Sequence, residues 1–288
     1  MAGSLWSLAL LAYERGQYAE AEPLGRRAFE IYEKTFGPEY VVVGRALNLL
    51  AELDRARGLY TQAEQLGLRA LAITEKALGP DHPDAASSLN VLALLYTEQG
   101  RYAESESLGR RALAISERSY GPDHPTVAES LNNLAKVYGV RGLYAEAEPL
   151  CRRSLAIREK VFGMDHPAVA ESLNNLAELY CAQGLNAKAE PVGARALAIR
   201  EKALGPDHPH VAESLNNLAE LYRALGRHAA AEPIYERALT IREKALGPDH
   251  PEVAASLENL ARLYRATERE REAEELEARA ARIRSIKR

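Results

Sequence analysis

The chain has 288 residues, of which 47% are apolar and 27% are charged, and its formal net charge is −4. This composition is typical of a soluble globular protein and argues against disorder over most of the length. The slightly acidic balance argues against a general nucleic-acid-binding protein, because such proteins carry a basic surface. The longest apolar run, at residues 8–13, is far too short to span a membrane.

The first twelve residues are apolar but lack the basic start of a signal peptide. The two cysteines, Cys151 and Cys181, do not have the spacing of a disulfide framework or of a cysteine-based zinc site. We therefore expect a protein of a reducing compartment, the cytoplasm, with neither membrane nor nucleic acid as a partner.

A 42-residue repeat dominates the sequence. Asp-His-Pro recurs at residues 81–83, 123–125, 165–167, 207–209 and 249–251. A glycine keeps the same interval, as Gly37, Gly79, Gly121, Gly163, Gly205 and Gly247. Periods between about 20 and 50 residues are typical of solenoids, propellers and other arrays. We therefore predict a single repeat domain over residues 1–288, with copies near 1–40, 41–82, 83–124, 125–166, 167–208, 209–250 and 251–288.

The copy at residues 125–166 illustrates the local structure that we expect. Its first segment places leucines and a tyrosine on one side of a helical wheel, with Asn132, Asn133 and Lys136 on the other side. This pattern predicts an amphipathic helix with a polar face. Pro125 suits the first helical position, where its missing N–H removes no hydrogen bond.

The second segment of this copy, from about residue 144 to residue 162, predicts a longer amphipathic helix. Glu148 and Arg152 are spaced so that they can pair on its surface. No segment alternates apolar and polar residues with a period of two, so we predict no strands. One helix pair buries too little apolar surface to fold alone, and stacked pairs share a core with their neighbours. We expect an all-α protein of fourteen helices in seven pairs.

The two ends of the chain differ. Residues 268–288 are dense in Glu and Arg, as a solvated end of a stack should be. Residues 5–11 are apolar nearly all round the first helix, so this helix either packs on something outside the chain or carries an exposed patch. This favours a longer array, or a homo-oligomer formed through the apolar N-terminal helix.

The repeated segments carry a family resemblance. Ser-Leu-Asn-Asn-Leu-Ala-Glu-Leu-Tyr occurs at 172–180 and 214–222, and Ile-Arg-Glu-Lys-Ala-Leu-Gly-Pro-Asp-His-Pro at 199–209 and 241–251. These segments resemble the 42-residue tetratricopeptide repeats of the kinesin-light-chain type. The small and tyrosine positions that match are Ala135, Ala177, Ala219, Tyr138, Tyr180, Tyr222, Ala147, Ala189 and Ala231.

The resemblance covers essentially the whole chain, with copies one and two departing most. Copy one has Glu39-Tyr40-Val41 in place of Asp-His-Pro, and its first helix lacks the Asn pair. The family implies a right-handed α-solenoid whose first helices line the concave side. It also implies binding of a peptide or protein and no enzymatic activity.

The five histidines of Asp-His-Pro admit either a metal site or a helix-capping role. Helix layers pack about 8–10 Å apart, too far for neighbouring copies to share ligation at about 2.0 Å from a metal. A residue just before a helical proline is where a cap is expected. Neither a Ser-His-Asp set, a Gly-rich phosphate loop nor a paired-carboxylate motif stands out. We expect capping histidines, with no catalytic residue, no metal and no cofactor.

The asparagines of the first helices are the main candidates for function. Asn is a poor residue in the middle of a helix, so its repetition needs a compensating role. One role is an inter-helix ladder that sets the repeat spacing. The other is a row of amides facing the backbone of a ligand. Both roles can coexist, with one asparagine of each pair serving each.

Following the non-core face of the first helices from copy to copy predicts a two-part groove. We expect an apolar end in copies one to three, with Trp6 and Leu10 as an anchor. We expect an amide-rich and charged end in the later copies. Its candidate residues are Asn132, Asn133, Lys136, Asn174, Asn175, Glu178, Asn216, Asn217, Glu220, Asn259 and Arg262.

These observations predict a protein–protein interaction scaffold that binds an extended peptide or partner segment in the groove. Two alternatives stay open at this point. The chain could be a structural self-assembly module, which the apolar first helix favours. It could instead be the recognition arm of a larger signalling protein.

Overall fold

The computed structural model describes residues 2–286, which form fourteen α-helices in seven pairs without a strand. The first helices are α1 (Ala2–Glu14), α3 (Val41–Ala56), α5 (Pro83–Glu98), α7 (Pro125–Val140), α9 (Pro167–Ala182), α11 (Pro209–Ala224) and α13 (Pro251–Ala266). The second helices are α2 (Tyr18–Phe36), α4 (Tyr60–Leu78), α6 (Tyr102–Tyr120), α8 (Tyr144–Phe162), α10 (Asn186–Leu204), α12 (His228–Leu246) and α14 (Glu270–Ile286). The predicted all-α class and number of helix pairs are confirmed.

Each Asp-His-Pro histidine caps the first helix that follows it. The Nδ1 atom of His82 accepts a hydrogen bond from the backbone N–H of Asp84 at 3.1 Å. The same bond is present at His124, His166, His208 and His250. The proline after each histidine occupies the first turn, where no N–H is needed. The capping interpretation of the histidines is therefore confirmed.

Glycines end the helices where the chain must turn. Gly121 follows α6 with φ of +82°, and its N–H donates to the carbonyl oxygen of Glu117. Gly142 lies in the turn after α7 with φ of +75°. Residues with a Cβ rarely adopt these backbone angles, so the 42-residue glycine spacing of the sequence marks the turns.

The helices form two compact units, α1–α8 and α9–α14, which divide between Gly163 and Met164. Within each unit, a first helix packs against its own second helix and against the second helix of the preceding pair. First helices also contact the first helices of neighbouring pairs, as α3 does with α5 and α9 with α11. The first helices thus form one layer of each unit. Our assignment of one domain to residues 1–288 stays a prediction.

The first helices are more deeply buried than the helical wheel predicts. In α7, Leu131 and Ala128 are fully buried, and so is Asn132, while only 6% of Asn133 is exposed. The wheel places both asparagines away from the apolar side of α7, but the structure buries them. The wheel assumes one core face, whereas a first helix inside a stack is covered by two second helices and by neighbouring first helices.

The second helices carry the predicted surface ion pairs. Arg152 Nη2 lies 2.7 Å from Glu148 Oε1, one turn away. Others bridge consecutive copies, as Lys160 Nζ does at 2.6 Å from Asp123 Oδ2. Each such exposed pair contributes only about 0–1 kcal/mol, so burial of the first helices supplies most of the stability.

Candidate functional site: the first-helix layer

An asparagine in several of the first helices joins its helix to the next first helix of the same unit. Its amide contacts a serine hydroxyl 40 residues further along, on the next first helix. In the first unit the donor–acceptor distances are 2.9 Å for Asn48–Ser88 and 3.1 Å for Asn90–Ser130, and in the second unit 3.3 Å for Asn216–Ser256. We call this set of bonds the ladder. The ladder accounts for a buried polar side chain in the middle of a helix.

Buried arginines extend the ladder in the second unit. Arg200, only 3% exposed, donates from Nη1 to Ser214 Oγ at 3.0 Å and to the carbonyl oxygen of His210 at 2.6 Å. With its amide oxygen turned towards Arg200, Asn174 accepts from this guanidinium and donates to Ser214 at 3.2 Å. Arg242 donates to Ser256 in the same way at 2.7 Å.

The burial of Arg200 and Arg242 was not predicted from the sequence, although both residues lie on the same side of their second helices as the buried apolar residues. The equivalent residues in the first unit include Thr74 and Ser116, which are also buried. An arginine on the core side of an amphipathic helix was the available signal, since such a charge is buried only when it is paired.

The second asparagine of each repeat has a different environment. Asn175, Asn217 and Asn259 are half-buried on α9, α11 and α13, at equivalent positions 42 residues apart. In the first unit, the equivalent Asn133 is buried, and its Nδ2 has no hydrogen-bond partner among the described residues. In the second unit the structure thus separates the two asparagines of a pair, with Asn174 and Asn216 buried in the ladder and Asn175 and Asn217 nearer the surface.

Charged side chains lie one helical turn after the second asparagines. The row consists of Lys136 in the first unit and Glu178, Glu220 and Arg262 in the second. Together with Asn175, Asn217 and Asn259, the second-unit members define what we call the amide face. Arg262 donates to the side-chain oxygen of Asn259, so this charge and this amide already interact.

Glu220 is the most constrained carboxylate of the amide face. Its Oε2 accepts from the Tyr235 hydroxyl at 2.7 Å and from Arg223 Nε at 3.0 Å. Burial favours the neutral acid, but the hydrogen bonds from Arg223 and Tyr235 outweigh it and lower the pKa of Glu220. Glu220 is therefore a fixed negative charge at neutral pH.

The predicted apolar anchors of copy one belong largely to the core. Trp6 and Leu10 are half-buried and pack against a cluster that includes Ala9, Leu49 and Leu50. Trp6 occupies the position that Asn48 has in the ladder, one copy later. The strongly exposed leucines of α1 are instead Leu8 and Leu11, at 51% and 43%.

A charged network lies beside these residues in the first unit. Burial raises the pKa of Tyr13, and the neighbouring Glu52 carboxylate raises it further. Burial likewise raises the pKa of Glu52, against the opposing effects of Arg55 and of a hydrogen bond from Tyr13. Arg55 Nη1 also donates to Glu98 Oε1 at 2.6 Å. Sequence patterns did not reveal this network, because its members come from three different copies.

A tyrosine–glutamate contact holds α5 to α4 and α7 to α6, the second helices that precede them. In the third copy, the Tyr96 hydroxyl donates to Glu64 Oε1 at 3.0 Å, and Arg101 Nη1 donates to the same oxygen at 2.7 Å. The hydrogen bonds from Arg101 and Tyr96 lower the pKa of Glu64. In copy two an aspartate, Asp54, replaces this tyrosine, and only 1% of it is exposed.

Within residues 2–286, no three His, Cys, Asp or Glu side chains come close enough together to hold a metal ion. In the same part of the chain, no helix is both long and apolar enough to cross a membrane. Cys151 and Cys181 are free thiols. Burial, together with the Glu178 and Glu220 carboxylates, raises the pKa of the Cys181 thiol to about 11.

A family model described as tetratricopeptide repeat matches residues 1–74, 43–118, 89–140, 136–202, 172–244 and 210–285. The chain belongs to the tetratricopeptide repeat family. A protein described as a kinesin light chain with nearly identical TPR-like repeats, from Podosopora anserina, is 31% identical, with 71% of this chain and 97% of that chain covered and a TM-score of 0.53. These tetratricopeptide repeats are therefore of the kinesin-light-chain type.

Two further solved structures are similar to this tetratricopeptide repeat chain. BtubC (BKLC) from P. vanneervenii is 26% identical, with 80% of this chain and 91% of that chain covered and a TM-score of 0.58. The Rap conjugation gene regulator of the plasmid pLS20, solved with the Phr* peptide, is 13% identical, with 98% and 73% covered and a TM-score of 0.77. The last similarity shows the fold alone. A search of curated proteins returned no match.

Proposed function

We propose that the chain is a non-catalytic protein-interaction scaffold that holds an extended peptide segment against its first-helix layer. The observation that carries this proposal is that the two neighbouring asparagines of α9, and likewise those of α11, lie in different environments. The ladder uses Asn174 and Asn216, whereas Asn175 and Asn217 are half-buried at the surface of the same helices. A surface amide can both donate to and accept from a peptide backbone, in any side-chain sequence.

The fold neighbours support a peptide as the ligand. The Rap regulator of pLS20 was solved in complex with the Phr* peptide, so a chain of this fold can hold a peptide. The amide face adds selectivity, because Glu178 and Glu220 are negative and Arg262 is positive. We propose a segment with a basic residue near the two glutamates and an acidic residue or a carboxylate near Arg262.

We propose a different specificity for the first unit. Leu10 of α1 and Leu94 of α5 are half-buried at equivalent positions, and Glu52 stands at that position of α3 between them. Buried apolar anchors contribute much of the binding energy at interfaces, so a partner with an exposed apolar side chain suits this surface. Trp6 packs beneath it within the core cluster.

We also propose a cytoplasmic location and no catalytic role. The free thiols suit a reducing compartment. The raised pKa of Cys181 leaves little thiolate at neutral pH, which suits a structural residue better than a nucleophile.

The test compares the two kinds of asparagine. A displayed library of random 12-residue peptides is selected on the full chain, and enriched peptides are titrated against two double variants. Asn175→Ala with Asn217→Ala should weaken binding at least tenfold without lowering the melting temperature. Asn174→Ala with Asn216→Ala should lower the melting temperature but leave the affinity nearly unchanged at a temperature where the variant is folded.

Two results would contradict the proposal. One is the absence of enriched peptides after repeated selection on the chain. The other is enrichment of peptides whose affinity is insensitive to the Asn175 and Asn217 changes, which would place binding away from the amide face.

A further inference from the structure

The outer face of α1, which we define by Ser4, Leu8 and Leu11 together with Arg15 just after the helix, lies at the surface. In the other copies the equivalent leucines are buried. In α3, for example, only 1% of Leu50 and none of Leu53 is exposed, against 51% and 43% for the two leucines of α1. The outer face of α1 thus displays the side chains that an internal repeat buries against its predecessor.

The internal copies show what covers these leucines. A Cβ placed on Gly25 of α2 would lie 3.3 Å from Leu50 Cδ2 and 3.6 Å from Leu53 Cδ1. A Cβ on Gly67 of α4 would lie only 2.8 Å from a methyl carbon of Leu92. In α2 and α4 the preceding second helix thus approaches the leucines closely at a glycine, whereas in α12 the buried Tyr235 covers Leu260 and Leu263 from this position.

The ladder adds a polar requirement. Ser88 accepts from Asn48 on the preceding first helix. Ala46 stands at the equivalent position in α3, where the preceding first helix has Trp6 instead of an asparagine. The hydroxyl thus accompanies an asparagine in the copy before it. Ser4 of α1 has this hydroxyl, and it is exposed.

An ion pair also joins some first helices to the preceding second helix. Arg57 contacts Glu22, and Arg141 contacts Glu106, each glutamate lying on the preceding second helix. Glu22 and Glu106 stand three residues before the glycine of their helix. Arg15 is exposed at the position of these arginines in copy one. A partner helix of the kind that precedes α3, α5 and α7 carries the motif Glu-x-x-Gly, as α2, α4 and α6 do.

We propose that the outer face of α1 binds a tetratricopeptide-type helix pair. Its first helix supplies an asparagine to Ser4, and its second helix supplies Glu-x-x-Gly to Arg15 and the two leucines. A second copy of this chain does not fit with its C-terminal pair. There, Glu258 replaces the ladder asparagine and contacts Arg284, while Glu277 replaces the glycine and contacts Arg265.

Isothermal titration calorimetry measures this binding without a reporter group on either surface. The probe is a polypeptide of residues 41–124, which ends in a helix pair with Asn90, Glu106 and Gly109. Leu50→Lys in the probe prevents its own first helix from stacking, and circular dichroism checks that it is helical. Titration into the full chain should give a saturable heat of binding.

Matched controls locate the contact. Gly109→Leu in the probe, or Leu8→Lys with Leu11→Lys in the chain, should weaken binding at least tenfold. Asn175→Ala with Asn217→Ala in the chain should leave it unchanged, which separates this surface from the amide face. Equal binding by the Gly109→Leu probe, or no saturable heat, would overturn the proposal. So would sedimentation showing that the chain alone dimerises in a manner abolished by Leu8→Lys, since a second copy then covers α1.

Discussion

The side-chain amide of Asn90 donates to the hydroxyl of Ser130 at 3.1 Å, and this single buried bond joins α5 to α7. Both residues are almost completely buried. A buried hydrogen bond contributes about 0.5–1.5 kcal/mol, and leaving one partner unsatisfied costs about 1–3 kcal/mol. The bond therefore acts on the spacing of repeats as well as on their stability.

Asn90→Ala should lower the free energy of unfolding by about 1–2 kcal/mol, because Ser130 then loses its buried donor. Ser130→Ala should have a similar effect. The double variant should be less destabilised than the sum of the single variants, by about 0.5–1.5 kcal/mol. Urea unfolding followed by circular dichroism measures these values. Strictly additive effects would show that the bond does not couple the two helices.

Asp54→Tyr should stabilise the protein by about 1–3 kcal/mol. Burial raises the pKa of Asp54, and its Oδ2 has no hydrogen-bond partner among the described residues. A tyrosine would restore the contact of copy four, where Tyr138 donates to Glu106 at 3.3 Å. The equivalent acceptor in copy two is Glu22.

The gain from Asp54→Tyr should depend on pH. A carboxyl whose pKa is raised in the folded state destabilises the protein while it is charged, and the penalty shrinks as the pH falls through the raised pKa. The advantage of the variant is thus expected to be largest near neutral pH and smaller near pH 4. Thermal unfolding at several pH values measures it. A variant less stable than the parent at neutral pH would mean that the ring does not fit there.

Glu64→Gln should show the opposite pH dependence. The pKa of Glu64 is lowered in the folded state, mainly by the hydrogen bond from Arg101. A glutamate in the unfolded chain has a pKa of about 4.3. Its contribution to stability is therefore complete above that pH and is lost as the pH falls through the lower, folded value. The stability difference between parent and variant should shrink below about pH 4. Glu20→Gln, at an exposed position, serves as the control.

Cys181 should react slowly with alkylating reagents at neutral pH. Because its pKa is raised to about 11, mainly by burial, the thiolate becomes abundant only in strongly basic solution. The rate of iodoacetamide labelling, followed by mass spectrometry in a Cys151→Ala background, should keep rising up to about pH 10. A plateau near pH 9, typical of an exposed thiol, would contradict the raised value.

The helices were predictable from the sequence because their ends carry local signals. The predicted second helix of copy four, about 144–162, coincides with α8 (Tyr144–Phe162). Burial was less predictable, since it depends on how many neighbours surround a helix. Asn132 and Arg200 look like surface residues by composition, yet both are buried by helices from other copies. The exposure of Leu8 and Leu11 agrees with one of the two alternatives that the apolar pattern of residues 5–11 left open.

The number of residues between the asparagine and the serine of a ladder bond is constant. This has a consequence for the gain or loss of whole repeats. The amides of Asn48, Asn90 and Asn216 each donate to a serine 40 residues further along the chain, and the repeat length is 42 residues. Excising residues 84–125 would bring Asn48 opposite Ser130, so no amide would lose its hydroxyl. Loss or duplication of one whole repeat in the gene therefore conserves the pairing. The junction of Trp6 with Ala46 is the exception, because excising residues 7–48 would leave Ser88 facing an indole.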